Sequence, residues 1–514
     1  MNTTEVIIDG LNLSFETIMK VAKGRDKEFK ISIVPSALQK MKASREFVHK
    51  IVEKGDPVYG INTGFGALAN QHIPKKDLSE LQYNLIRSHC TGVGEPYSRQ
   101  ITRAILLLRA NCLSSGFSGV NPEIVQLLLD FLYYGITPVV PERGSVGASG
   151  DLAPLSHIAL ALIGEGEVIF DGKRVSSAFA IHEIGQKPSV LGPKDGLALI
   201  NGTAVMTALG ALAIQDARKL MTIADITSCL TLDAVKGTAR AYHPQITALK
   251  PHPGQIDCVF NLNTLLHGSE LKDSHDNCGK VQDPYSLRCV PQVHGACRQT
   301  LKHAIDVFGI ELNSVTDNPL IFVESGEVVS GGNFHGEALA LSMDYLAMGL
   351  AELCNISERR IEKMMNPTFS ELPAFLVKQP GLNSGLMIAH VTAAALTSEN
   401  KMYCHPASVD SIPTSTDKED HVSMGVTAGI KLHRVLENVK FCFAIELLCN
   451  TQALEFQRPL KSSPALEAVY TLIRKHVPSI EKDRVLHHDI NNIVKLIETD
   501  ELIDCVRQNS GALL

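Results

Sequence analysis

Four stretches of the chain place apolar residues at i, i+3, i+4 and i+7 over most of their length: residues 203–235, 291–315, 336–365 and 425–456. That period predicts long α-helices. They are rich in Ala and Leu and apolar around much of their circumference, so they are expected to be buried on several sides. A bundle of long helices follows, shared between subunits, because one chain would struggle to cover such faces. The first 200 residues have a shorter rhythm. "EVIID" (5–9) and "VYGIN" (58–62) read as short strands. Residues 75–89 and 98–116 read as amphipathic helices, the second closed by Gly116. "EVIFDGKRV" (167–175) reads as a hairpin turning at Asp171-Gly172. The expectation is a mainly α protein. Residues 1–200 would form a smaller mixed α/β N-terminal domain, and residues 201–514 a central long-helix bundle with a C-terminal helical region.

Composition narrows the classes. The 48 basic and 55 acidic residues give a net charge of -7, which argues against a nucleic-acid partner. No basic stretch suggests a membrane surface. The N-terminal residues lack a charged start followed by an apolar run, so no signal peptide is expected. Uninterrupted apolar runs of about 20 residues are absent, so no membrane span is expected either. Twelve cysteines without a CxxC pair read as reduced thiols in a cytoplasmic protein. The pair His487-His488 and the separate His243 and His252 lack metal-ligand spacing, and no metal is expected.

The segment "RGSVGASGD" (143–151) is the most unusual. It joins a glycine-rich loop to an apolar helical run. The Walker, dinucleotide and hydrolase-elbow patterns all fail here, the last because Asp151 stands at the final glycine position. What remains is backbone chemistry at Ala148-Ser149-Gly150. A glycine nitrogen, unobstructed by a Cβ, can attack the carbonyl two residues back. A serine hydroxyl can leave as water and create an exocyclic double bond. The product is an electrophilic ring, 4-methylideneimidazole-5-one. The plainer reading is a glycine-rich turn before a helix, with Ser149 or Asp151 as its cap.

Six other segments bear on that choice. "VYGINTGFG" (58–66), "LINGT" (199–203), "SHDNCGKVQDPYSLRC" (274–289), "SVTDNPL" (314–320), "GGNFHGE" (331–337) and "EDHVSMG" (419–425) occur in this order. With "GSVGASGDLAPLSHIA" they resemble the motifs of the aromatic amino acid ammonia-lyases. "VQDPYSLRC" and "EDHVS" resemble the branch of that family that acts on histidine. The resemblance implies a long-helix bundle of the fumarase/aspartase-like type and a homotetramer. It also implies an autocatalytic ring formed from Ala148, Ser149 and Gly150, with no separate cofactor. The implied reaction is loss of ammonia from L-histidine to give trans-urocanate.

The same resemblance implies residue roles. Tyr59, in a glycine-rich loop suited to a mobile lid, would be the base, helped by a nearby positive field. Tyr285 and Gln282 would lie near the ring and the amine, and Arg288 would take the substrate carboxylate as a guanidinium fork. Asn201 would hydrogen-bond the ring oxygen or that carboxylate, or else cap a helix. His89 and Glu419 would give the imidazole a donor and an acceptor, with Glu419 also placed for proton transfer, and Phe334 would pack on the ring. One departure stands out: the histidine branch commonly has Asn-Gln before "EDHVS", and this chain has Asp417-Lys418. Lys418 would either hold down the proton affinity of Glu419 or point to solvent. The competing readings are a 2,3-aminomutase or another ammonia-lyase of the family, a lyase of the fumarase type without the ring, and a non-catalytic helical scaffold.

Overall fold

The computed structural model describes residues 3–275 and 281–514. The four helices expected from the apolar period are present at Ala204–Ala234, Val290–Glu311, Glu337–Met365 and Gly425–Glu455. Helices dominate and the strands are short, so the protein is mainly α. The chain divides into two compact units, each discontinuous in sequence. The first comprises Met1–Leu212, Ile305–Asp344 and Pro406–Ile430, and the second Ala213–Ala304, Tyr345–His405 and Lys431–Leu514. Each of the four long helices contributes one end to each unit.

In the first unit, Thr4–Ile8 pairs in parallel with Phe29–Ile33 across the helix Phe15–Lys23, whose first turn is capped by Ser14. Arg99–Ser114 is buried on every side from Thr102 onward. Its two core guanidiniums donate to backbone carbonyls: Arg103 to Val21 and Leu132, and Arg109 to Ala198. Gly116 follows this helix at φ +85°, the left-handed stop that its sequence suggested. The hairpin is also present, Glu167–Phe170 against Lys173–Ser176, with Asp171 and Gly172 at φ +48° and +72°.

"VYGIN" is not a strand. It folds as a turn in which the side chain of Asn62 accepts from the Val58 amide (2.7 Å) and donates to the Asp56 carbonyl (2.9 Å). Those bonds replace a ladder, and Gly60 at φ +75° reverses the chain. A Cβ on Gly60 would lie 2.7 Å from Pro319 and 2.8 Å from Leu197, so glycine is required there.

The second unit is helical around buried polar networks. Arg360 and Glu446 form a fully buried ion pair that Ser357 and Thr231 complete. Asp225, Cys258 and His294 lie within metal-binding reach of one another. Asp225 is already paired with the Arg298 guanidinium, which with His294 holds its carboxyl well below the usual range. That cation does the work a metal would do, and the cluster reads as structural. Among the described residues one helix, Glu337–Met365, is long and apolar enough to cross a membrane, and 72% of its apolar window is buried within the protein.

Candidate active site

The segment 143–151 is clamped from three directions. Gly150 forms an isolated parallel bridge with Gly202, and the Asp151 amide donates to the Gly202 carbonyl (2.8 Å). The Met424 amide donates to the Val146 carbonyl (2.9 Å), and Ser423 Oγ donates to that of Gly147 (3.2 Å). Ser145 Oγ accepts from the Gly147 amide (3.1 Å) inside the loop. Gly150 has φ +70°, and a Cβ there would lie 2.2 Å from the Gly202 oxygen. Only glycine fits against that backbone.

Asp151 does not cap its own helix, Leu152–Leu162. Its carboxylate accepts instead from the amides of Val205 (2.8 Å) and Met206 (3.0 Å), at the start of Ala204–Ala234. The positive end of that longer helix is the better partner for a carboxylate. Burial nevertheless pushes the carboxyl up to about 7, against these hydrogen bonds and one from Ser145, with Glu311 nearby adding to the rise. The sequence reading missed this role; the signal was an acidic residue that directly follows the loop.

A cavity of about 800 Å³ opens beside the loop and brings together Tyr59, His89, Ser149, Asn201, Phe334 and Glu419. An adjoining recess of about 300 Å³ shares His89, Ser149 and Glu419 and is lined also by Ala148 and Gly150. Ser149 Oγ donates to Glu419 Oε1 at 2.8 Å, across 270 residues of sequence. Thr414 Oγ1 donates to Glu419 Oε2 at 2.7 Å. Lys418 is exposed and forms no ion pair with Glu419, so of the two expected orientations it takes the solvent one.

His89 closes the helix Leu78–His89. Burial pushes its imidazole down, while the Leu85 backbone and Glu419 act the other way. Ser88 Oγ donates to the Leu85 carbonyl (3.1 Å) and lies 3.0 Å from His89 Nδ1. This favours the Nδ1–H tautomer and leaves Nε2 to accept. Asn201 is only 3% exposed. It is the C-cap residue of Asp195–Ile200, and its Nδ2 donates to the Asn318 carbonyl (2.9 Å). Its Oδ1 has no hydrogen-bond partner. Asn201 lines the cavity, and a buried acceptor without a partner is suited to a ligand donor.

Gln282, Tyr285 and Arg288 do not line this cavity; they lie in the second unit. Tyr285–Arg288 is one helical turn in which the guanidinium stacks 4.4 Å over the phenol ring and donates to the Asp283 carbonyl (3.0 Å). Gln282 is exposed and Tyr285 is 70% exposed. The "DNCGK" portion of their motif, residues 276–280, lies outside the described residues. A different cavity of about 830 Å³, within the second unit, is lined mostly by apolar groups such as Ile256, Val259 and Phe260. It lacks the paired nucleophile and acid found beside Ser149.

Residues 13–475 match the family model for aromatic amino acid lyases. The histidine ammonia-lyase of Myxococcus xanthus is 49% identical over 507 residues, covering 99% of each chain. The crystal structure of histidine ammonia-lyase from Trypanosoma cruzi superposes with a TM-score of 0.92 at 44% identity, covering 98% of this chain and 96% of that one. Tyrosine aminomutase from Streptomyces globisporus superposes equally well (TM-score 0.94) at a lower identity of 38%, over 99% of this chain and 100% of that one. The order of the motifs, the clamped glycine loop and these full-length likenesses agree that the chain belongs to the aromatic amino acid lyase family.

Proposed function

We propose that the protein is a histidine ammonia-lyase, which converts L-histidine to trans-urocanate and ammonia. The observation that carries this reading is the meeting of Ser149, Glu419 and His89 in one cavity beside the clamped loop. The residues present fit the family's prosthetic ring. Ala148 is small, Ser149 presents its hydroxyl to the cavity, and Gly150 is held where a Cβ has no room. When formed from these three residues, 4-methylideneimidazole-5-one supplies an electrophilic methylidene carbon.

The chain's own residues do the rest. His89 Nε2 accepts from one N–H of the substrate imidazole, and the Glu419 carboxylate accepts from the other when the ring is protonated, or moves that proton. Phe334 packs against the ring, and Asn201 Oδ1 accepts from an N–H group. Tyr59 takes the β proton as the Cα–N bond breaks, the electron pair leaves with ammonia and the Cα–Cβ double bond forms. The β proton is weakly acidic, so both an electrophile and a placed base are needed.

Arg288 takes the substrate carboxylate, and Tyr285 and Gln282 flank the amine, from a second copy in a homotetramer. The exposure of Gln282 and Tyr285 on the single chain supports this assignment. Leu341, Tyr345 and Met348 also expose an apolar stripe along Glu337–Met365 that a neighbouring copy would cover. Among the described residues no cysteine is in a disulfide, in keeping with a reducing cytoplasm.

The test is direct. Purified protein given L-histidine is expected to raise the ultraviolet absorbance of urocanate with equimolar release of ammonia. Histidine consumed without that absorbance would mean an aminomutase instead. The intact chain is expected to weigh two waters less than its sequence, and Ser149→Ala to keep both waters, remain folded and lose turnover.

A further inference from the structure

The carboxylate of Glu419 has two hydrogen-bond donors, and maturation removes one of them. Ser149 Oγ holds Oε1 (2.8 Å) and Thr414 Oγ1 holds Oε2 (2.7 Å). Under the reading above, on which this inference rests, the Ser149 hydroxyl leaves as water when the ring forms. Oε1 then faces the cavity without its donor, and Thr414 is the side chain that still orients the group.

The backbone is shaped to keep that contact. Thr414 and Glu419 form an isolated antiparallel bridge, with N–H···O distances of 3.0 and 3.4 Å in the two directions. Residues opposite one another on such a pair project to the same side, which brings the hydroxyl onto the carboxylate. The reversal between them runs through Ser415, Thr416 and Asp417, at φ +52°, +51° and +62°. Three successive non-glycine residues in the left-handed region are costly, and a β-branched Thr416 most of all. A four-residue clip held in that form fixes the distance from Thr414 to Glu419. Ser415 and Thr416 also line the cavity.

We propose that Thr414 is a positioning residue for histidine. It holds Glu419 Oε2 so that Oε1 faces the place where Ser149 stood, and so sets the carboxylate for the substrate imidazole.

The test compares the parent enzyme with Thr414→Val and Thr414→Ser, each by steady-state kinetics with L-histidine and by intact mass. In Thr414→Val, kcat/KM is expected to fall roughly 10- to 100-fold, the usual effect of losing a hydrogen bond to a charged group. KM is expected to rise, because substrate meets a carboxylate that is no longer aimed. Thr414→Ser keeps the hydroxyl and is expected to recover most of the loss. All three chains are expected to lack the mass of two waters, showing that the ring forms. A merely structural role would reduce the active fraction and lower kcat alone. An unchanged KM in Thr414→Val, or a serine variant as impaired as the valine one, overturns the proposal. A parent enzyme that forms no urocanate instead overturns the functional reading, and this inference with it.

Discussion

Replacing Asp151 by Asn is expected to flatten the pH dependence of stability. Asp151 is fully buried, and burial pushes its carboxyl from the ordinary 3.8 to about 7. At about 1.4 kcal/mol per pH unit, that rise is worth about 4 kcal/mol. The sign follows from proton binding. Between the two values the folded state holds a proton that the unfolded chain has released, so stability falls as pH rises. The contribution is fully present below about pH 4 and lost by about pH 7. An Asn keeps an oxygen that can accept from Val205 and Met206 and carries no charge to bury. Its NH2 stands where Ser145 Oγ donates to Oδ1 and forces that hydroxyl to turn, a cost of about 1–3 kcal/mol. The variant should therefore be less stable than the parent near pH 5 and match or exceed it near pH 8. Denaturant midpoints measured on both proteins at intervals across that range supply the check. Titrating groups that do not interact with Asp151 cancel in the difference between the two proteins. A difference that stays constant from pH 5 to pH 8 would refute the assignment of a raised carboxyl to Asp151.

The other expectations concern the loop and the base. Gly150→Ala must fit a Cβ 2.2 Å from the Gly202 oxygen at φ +70°. The backbone strain alone costs about 1–2 kcal/mol before any clash, so the variant is expected to melt at lower temperature and to keep the mass of both waters. Tyr59→Phe removes the phenol from the cavity with little loss of packing. It is expected to lower kcat by roughly 100-fold or more with the thermal midpoint nearly unchanged. A variant with parental kcat would remove Tyr59 from proton transfer.

The legible parts of this protein were those governed by local period and local backbone preference. The long helices follow from apolar spacing, and the 167–175 hairpin from an Asp-Gly pair whose φ values had to be positive. "VYGIN" misled because alternating apolar residues resemble a strand, while the decisive interaction is the Asn62 side chain bonding its own neighbours. Most of the residues named from their motifs line the cavity or its recess, because each motif lies on one short segment. Their mutual geometry was not legible. Ser149 meets Glu419 across 270 residues, and Asp151 caps a helix that begins 53 positions later. Thr414 left no signal in a polar segment where any hydroxyl looks alike. Its importance depends on the bridge that sets it against Glu419.

The surroundings of the cavity also explain why so much charge is buried near it. Lys194 and Asp317 form an ion pair at 2.7 Å with neither side chain exposed, and burial pushes the lysine down while Asp317 opposes it. Such a pair adds little net stability compared with apolar packing, so its value lies in what it fixes. Lys194 is the residue before the helix Asp195–Ile200, which ends at Asn201. Asp317 precedes Asn318, whose carbonyl accepts from Asn201 Nδ2. The ion pair therefore ties together the two segments that aim one amide. With its nitrogen held by Asn318, that amide keeps its oxygen without a partner. An acceptor kept buried and unpaired costs about 1–3 kcal/mol in the empty site. A ligand N–H that meets it recovers that cost on binding, and an isosteric ligand without the donor does not.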